Sequence, residues 1–130
     1  MESNNCVFCK IIEGKIPAEK IYEDKTHIAF LDMKPINPGH VLVVPKAHED
    51  YVFDMGDENY KELMLRAKTV SKIIKNKLKP KRVGMVVEGF GVPHVHVHLV
   101  PINGAMELNP ERARISTNEE LGEISRLLNR

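Results

Sequence analysis

Histidine recurs at every second position in the run Pro93-His94-Val95-His96-Val97-His98-Leu99-Val100-Pro101. Successive side chains of an extended strand point to opposite faces. This spacing therefore lines three imidazoles along one face and leaves Val95, Val97 and Leu99 for the other. The rings are expected roughly 7 Å apart along such a strand. Imidazole is costly to bury alone, so a row of three calls for protons, phosphate oxygens or a metal. A merely solvated face would be served better by Lys, Thr or Glu. Neutral imidazole is a competent nucleophile toward phosphorus, with a pKa near working pH. Attack forms a nucleotidyl-histidine that water can hydrolyse, while neighbouring imidazoles donate to the non-bridging oxygens where charge builds. The middle of the row has a partner on each side, which favours His96 as nucleophile and His98 as the phosphate-orienting neighbour. Pro38-Gly39-His40 delivers a further imidazole to the start of an apolar run, in position for a second oxygen contact.

A different chemistry is suggested at the other end. Cys6-Val7-Phe8-Cys9 is a Cys-x-x-Cys pair, half of a zinc site. A thioredoxin-like redox pair would need a βαβ context that the order of elements does not supply. Two buried structural thiols are the plainer alternative. Zinc needs two more ligands, and a distant histidine pair is the usual supplier. Spacing alone leaves both His40 and His48 open as ligands, while surface placement best explains His27.

The elements that must hold these groups follow from pattern. Val7 to Glu13 reads as a short helix ended by Gly14 and Pro17. Lys20–Glu23 and His27–Asp32 read as short strands around an Asp24-Lys25 turn. Pro35-Ile36-Asn37-Pro38-Gly39 is a tight loop, and His40–Val44 a nearly continuous apolar strand suited to a sheet centre. Tyr60, Leu63, Met64, Ala67, Val70, Ile74 and Leu78 recur at helical spacing, with Asp57 as N-cap and Pro80 as stop. Arg82–Glu88 and the histidine strand form an antiparallel hairpin. A last helix is expected from Glu119 to Asn129, capped near Thr117 or Asn118. The sum is an α+β domain: an antiparallel sheet of about five strands with helices on one side.

Composition bounds the rest. A chain of 130 residues, 42% hydrophobic and 28% charged, supports one domain with its own core. A net charge of +1 argues against a non-specific nucleic-acid binder. No apolar run approaches membrane-spanning length, and the polar opening Met1-Glu2-Ser3-Asn4-Asn5 carries no secretory pattern. Two cysteines fit a reducing, cytoplasmic setting.

The run His94-Val95-His96-Val97-His98-Leu99-Val100 resembles the signature of the histidine triad (HIT) superfamily, and in particular its histidine triad nucleotide-binding branch. Cys6 to Pro17, Ala29-Phe30-Leu31-Asp32 and Pro38 to His48 match family segments in the same order. The likeness covers about residues 6–101 and leaves 102–130 as a C-terminal tail within one domain, 1–130. It implies a HIT-like fold and nucleotidyl transfer or hydrolysis, with His96 as nucleophile and His98 and His40 on the phosphate. It also implies one structural zinc ion per chain on Cys6, Cys9, His48 and His94, which selects His48 from the two open candidates. Phe8, Ile11, Phe30 and Met33 match the apolar walls of the family's nucleoside pocket, and Asp32 its ribose carboxylate; core packing and a turn cap are the plainer roles for these. The expected substrate is a nucleoside 5′-monophosphate conjugate, a purine phosphoramidate first and a dinucleoside polyphosphate second. The expected assembly is a homodimer. The stretch Val86 to Pro93 departs from the family, being shorter and lacking its Asn, Gln and Ser. Backbone amides at Gly91 and Val92 are the available substitutes. The departure sustains a rival reading, a nucleotide-binding regulatory protein with vestigial catalysis, and a structural zinc module is a third.

Overall fold

The computed structural model describes residues 5–130; most of the polar opening segment lies outside it. Helix α1 spans Val7–Ile12, with the Cys6 thiol as its N-cap group, accepting from the Cys9 amide. Gly14, at φ +80°, turns the chain out of it. Strands β1 (Lys20–Glu23) and β2 (His27–Leu31) pair antiparallel around a turn held by Asp24. Its carboxylate accepts from the Thr26 and His27 amides at 2.8 Å each. Strand β3 is Val41–Pro45, helix α2 Asp57–Leu78, strand β4 Arg82–Val86, strand β5 Val97–Ile102 and helix α3 Asn118–Leu128. The sheet order is β1-β2-β3-β5-β4, antiparallel throughout.

Every residue of β2 and β3 is buried, so both faces of the sheet need cover. Ala29, Leu31, Val41, Val43, Val97 and Leu99 pack against Leu63, Ala67, Val70 and Ile74 of α2 and Leu121 and Leu128 of α3. Ile28, Phe30, Leu42 and Val44 point the other way, against Cys6, Phe8, Cys9 and Ile11. The expectation of helices on one side is thereby corrected: α1 covers the second face. The uninterrupted apolar run of β3 is the local sign of such double cover.

One helix cap also differs from expectation. Gly56, not Asp57, occupies the N-cap of α2, without a side-chain cap bond. Asp57 is the first helical residue, where its charge favours the positive end of the helix. Lys79, left-handed at φ 56°, closes the helix by donating to the Lys75 carbonyl, and Pro80 forbids a further turn. Thr117 caps α3 in a reciprocal box with Glu120. No helix among the described residues is long and apolar enough to cross a membrane.

Candidate active site and metal centre

Of the three alternating histidines, only His98 lies inside the β5 ladder, opposite Leu42 of β3 and Val86 of β4. The ladder with β3 runs from Leu99 opposite Val41 to Val97 opposite Val43 and stops there. Ahead of it, the Val95 amide donates to the Glu49 carbonyl. The row is therefore not evenly spaced: the His96 and His98 rings close to 4.8 Å between centroids, while His94 turns toward α1.

Backbone groups decide which ring nitrogen carries each proton. His94 Nε2 lies 2.7 Å from the Pro45 carbonyl, so Nε2 bears the hydrogen and Nδ1 a lone pair. His96 Nδ1 lies 2.7 Å from the His94 carbonyl, so that nitrogen donates and Nε2 is left as a lone pair. The Ile36 amide donates to His40 Nδ1 at 3.0 Å, placing the His40 proton on Nε2. From there it is shared with His98 Nδ1 at 3.0 Å and with Asp32 Oδ2 at 3.5 Å. His98 then carries its own proton on Nε2. A lone pair on His96 Nε2 stands beside an N–H on His98 Nε2, the pairing that nucleophilic attack at phosphorus needs.

Burial favours the neutral form of His40, His94 and His98. Desolvation, with His96 and His40 alongside, pushes His98 down to about 3. Desolvation also lowers His40, against the pull of Asp32, and lowers His94. Asp32 caps its own loop as well, accepting from the Lys34 amide at 2.8 Å, so the turn-cap role is present in the structure. His27, expected at the surface, is buried at the start of β2, with Nδ1 2.8 Å from the Thr26 hydroxyl. Its strand is covered on both faces, which leaves no exposed position there.

The family-implied nucleoside wall divides. Phe8, Ile11 and Phe30 share one buried cluster, with Phe8 edge-on to Phe30 at 5.5 Å and to His96 at 4.9 Å. Met33 stands 65% exposed beside a recess formed with Pro17, Ala18 and Asn118, outside that cluster. A cavity of about 140 Å³ opens on the other flank of His40 and His98. Ile36 and Val86 line it, and so do Leu108, Pro110 and Ala113 of the tail.

Cys6, Cys9, His48 and His94 come together, one ligand atom from each lying within 4.8 Å of all the others. His94 Nδ1 is 3.4 Å from both thiols, and His48 Nδ1 is 3.3 Å from Cys9 Sγ. Tetrahedral zinc with bonds of about 2.0–2.3 Å requires edges of about 3.5 Å, so the residues fit the ion. It is Nδ1 of His48 that faces the cysteines; its Nε2 is buried and has no hydrogen-bond partner among the described residues. Burial next to Cys6 pushes the Cys9 thiol up to about 11, so its ionisation calls for a cation.

Residues 13–104 match the family model of the HIT domain. The chain belongs to the HIT family. It is 37% identical to the adenosine 5′-monophosphoramidase of Schizosaccharomyces pombe over 75% of this chain and 74% of that one. A HIT-like protein of Bartonella henselae, described as involved in cell-cycle regulation, superposes with a TM-score of 0.87 at 29% identity. That match covers 97% of this chain and 95% of the other. A zinc-bound histidine triad protein of Mycobacterium smegmatis gives a TM-score of 0.84 at 29% identity, covering 98% and 93%.

Three features of the HIT site here carry no side-chain signature: the Pro45 carbonyl, the Ile36 amide and the tail wall at Leu108–Ala113. Only the alternation of His with Val pointed to the first two, by requiring that something fix the rings.

Proposed function

We propose that this chain is a nucleotide hydrolase of the HIT type, acting on nucleoside 5′-monophosphates joined through phosphorus to an amine or a further phosphate. The observation that carries this reading is the opposed pair at the site, a lone pair on His96 Nε2 beside an N–H on His98 Nε2. His96 Nε2 attacks the α-phosphorus, and a new phosphorus–nitrogen bond forms as the bond to the leaving group breaks, the departing amine or phosphate oxygen taking up a proton from solvent. His98 Nε2–H donates to the phosphate, and His40 holds His98 in that tautomer. Water then cleaves the adduct and releases the nucleotide. The amides of Gly91 and Val92, which donate to no other described residue, supply donors where the family loop is shortened.

A purine phosphoramidate is the favoured substrate, in line with the monophosphoramidase name of the yeast relative. Phe8, Ile11, Phe30 and Met33 take the base, and Asp32 the ribose hydroxyls. Cys6, Cys9, His48 and His94 would hold a structural zinc ion, which when bound ties α1 to the catalytic segment. Reduced thiols in that role go with a cytoplasmic setting. A homodimer fits the open edge of β4, where Met85 is 52% exposed.

The test is intact mass after brief incubation with an adenosine phosphoramidate, quenched without acid because phosphohistidine-type adducts are acid-labile. A nucleotidyl mass gain that vanishes in His96→Ala supports the reading. A dinucleoside polyphosphate in parallel identifies the preferred bond. Tight nucleotide binding with neither adduct nor product would overturn hydrolysis in favour of a binding protein, the reading that the shortened loop before His94 sustains.

A further inference from the structure

The segment from Gly104 to Ser116 lies outside the histidine motif, yet it is bound to the loop that sets the His40 ring. That loop, Met33 to Gly39, is half-buried, contains two prolines and belongs to no strand or helix. Its Ile36 amide is the donor that fixes the His40 tautomer. The ties that anchor it run to the end of β5 and to the tail. Asn37 Nδ2 donates to the Pro101 carbonyl at 2.8 Å and to Glu107 Oε1 at 3.1 Å. Asn37 Oδ1 accepts from Arg112 Nη2 at 2.7 Å. The Arg114 and Ser116 amides donate to the Pro35 and Met33 carbonyls. Glu107 is itself held by the Asn103 amide at 2.9 Å, and Leu108 packs over Gly84 of β4.

We propose that Asn37 is a positioning residue, which with the tail clasps the Met33–Gly39 loop so that His40 and His98 keep the tautomers that make His98 Nε2 a donor. The chemistry of the relay makes that setting matter. If the loop slips and Ile36 withdraws, His40 Nδ1 is free to take the proton. His40 Nε2 then presents a lone pair to His98 Nδ1, which must supply the hydrogen instead. His98 Nε2 becomes a lone pair facing phosphate oxygens and the lone pair of His96. Losing the Ile36 donor lets Nδ1 compete for the proton against the pull of Asp32 on Nε2, and in the fraction that switches, the donor at the reacting phosphate becomes a repulsive acceptor. Phe8, Ile11 and Phe30 lie outside the loop, while Met33 and Asp32 are at its start, so the change falls first on kcat, with a smaller rise in KM.

The kinetic half of this inference rests on the proposed hydrolase reading; the structural half does not. Ring nitrogen spectra of the 15N-labelled, zinc-loaded protein are therefore measured first, without substrate, at neutral pH. Wild type is expected to show one tautomer at each ring, with His40 protonated at Nε2 and His98 at Nε2. Asn37→Asp replaces an amide donor with a carboxylate facing Glu107 and the Pro101 carbonyl. It is expected to give mixed tautomers at both rings and to lower kcat about ten- to a hundredfold with a smaller rise in KM. Adding Glu107→Gln restores a donor opposite that carboxylate and is expected to recover the single tautomers and most of kcat, which a merely unfolded variant would not do. Arg112→Met, at an exposed position, makes the same test by loosening the clasp from the surface if Asn37→Asp fails to fold. Unchanged ring spectra in a folded Asn37→Asp or, failing that, Arg112→Met protein would overturn the proposal. Absence of turnover in wild type would overturn the hydrolase reading and leave the ring spectra to decide the clasp.

Discussion

Replacing His98 by Gln should make the protein less sensitive to mild acid. The His98 ring sits beside His96 and His40 with its folded pKa pushed down to about 3, first by desolvation and then by those two rings. Its ordinary value is 6.5. Between those limits the unfolded chain binds a proton that the folded one does not. Stability therefore falls as pH drops, at up to about 1.4 kcal/mol per pH unit. From pH 7 to pH 5 the group costs about 2 kcal/mol at full strength, and about 1 kcal/mol once solvent around the half-buried ring is allowed for.

The window is clean. Carboxylates held low in the fold, Asp24 and Glu23, titrate in the unfolded chain near pH 4, so their losses come lower. His27, His94 and His40 are also lowered, chiefly by burial, and are present in both proteins; of these, only His40 touches the substituted residue. Gln keeps an oxygen able to accept from His40 Nε2, so the relay is shortened without leaving that donor orphaned. Urea unfolding of zinc-saturated wild type and His98→Gln at pH 7 and pH 5 measures the effect. Wild type should lose about 1–2 kcal/mol more than the variant between the two pH values. Equal losses would refute the assignment of His98 as a buried neutral ring.

Three further outcomes follow from particular contacts. Gly39→Ala should cost about 2–3 kcal/mol in urea unfolding, because φ is +94° and the added Cβ would lie 2.3 Å from Leu78 Cδ1 and 3.1 Å from Pro101 Cγ. Cys9→Ser should reduce bound zinc, measured by native mass spectrometry, from one ion per chain to a small fraction, and chelation should then no longer lower the melting temperature. Asp24 is held well below the ordinary carboxylate range: burial opposes this, but the Tyr22 hydroxyl, the Thr26 and His27 amides and Arg66 outweigh it. That stability is present above about pH 4 and lost as pH falls further, so Asp24→Asn should be less stable at pH 7 and flatten the acid limb below pH 4 in thermal melts.

The parts of the fold legible from residues were those in which a side-chain period meets a breaker. The bounds of β1 at Lys20 and Glu23, the long helix before Pro80 and the capping at Thr117 all have such a signal. The four residues of the metal cluster were legible only in part, because Cys-x-x-Cys names two ligands and a fold must supply the others. His27 was misread because a lone polar residue at a strand start gives no hint that its strand is covered twice. The tail was silent for a different reason. Its contribution runs through Glu107, Arg112 and main-chain amides, groups whose types are common on any surface and whose meaning comes from what they meet.

One residue joins the two centres. His94 offers Nδ1 to the thiol cluster, spends Nε2–H on the Pro45 carbonyl, and with its own carbonyl fixes the proton of His96. The ring that would bind the metal and the peptide unit that orients the nucleophile are thus parts of the same residue, with few free torsions between them. A rotation of the His94 ring that broke its bond to Pro45 would leave a buried donor unsatisfied, which costs about 1–3 kcal/mol. The Phe8 ring, 6.1 Å from His94 and 4.9 Å from His96, closes the space into which either could swing. Order at the cysteine end therefore sets the direction of the His96 lone pair, while order at the tail end sets the proton of His98. The reacting pair is thus held by two supports, the cysteine cluster on α1 and the tail, that share no residue.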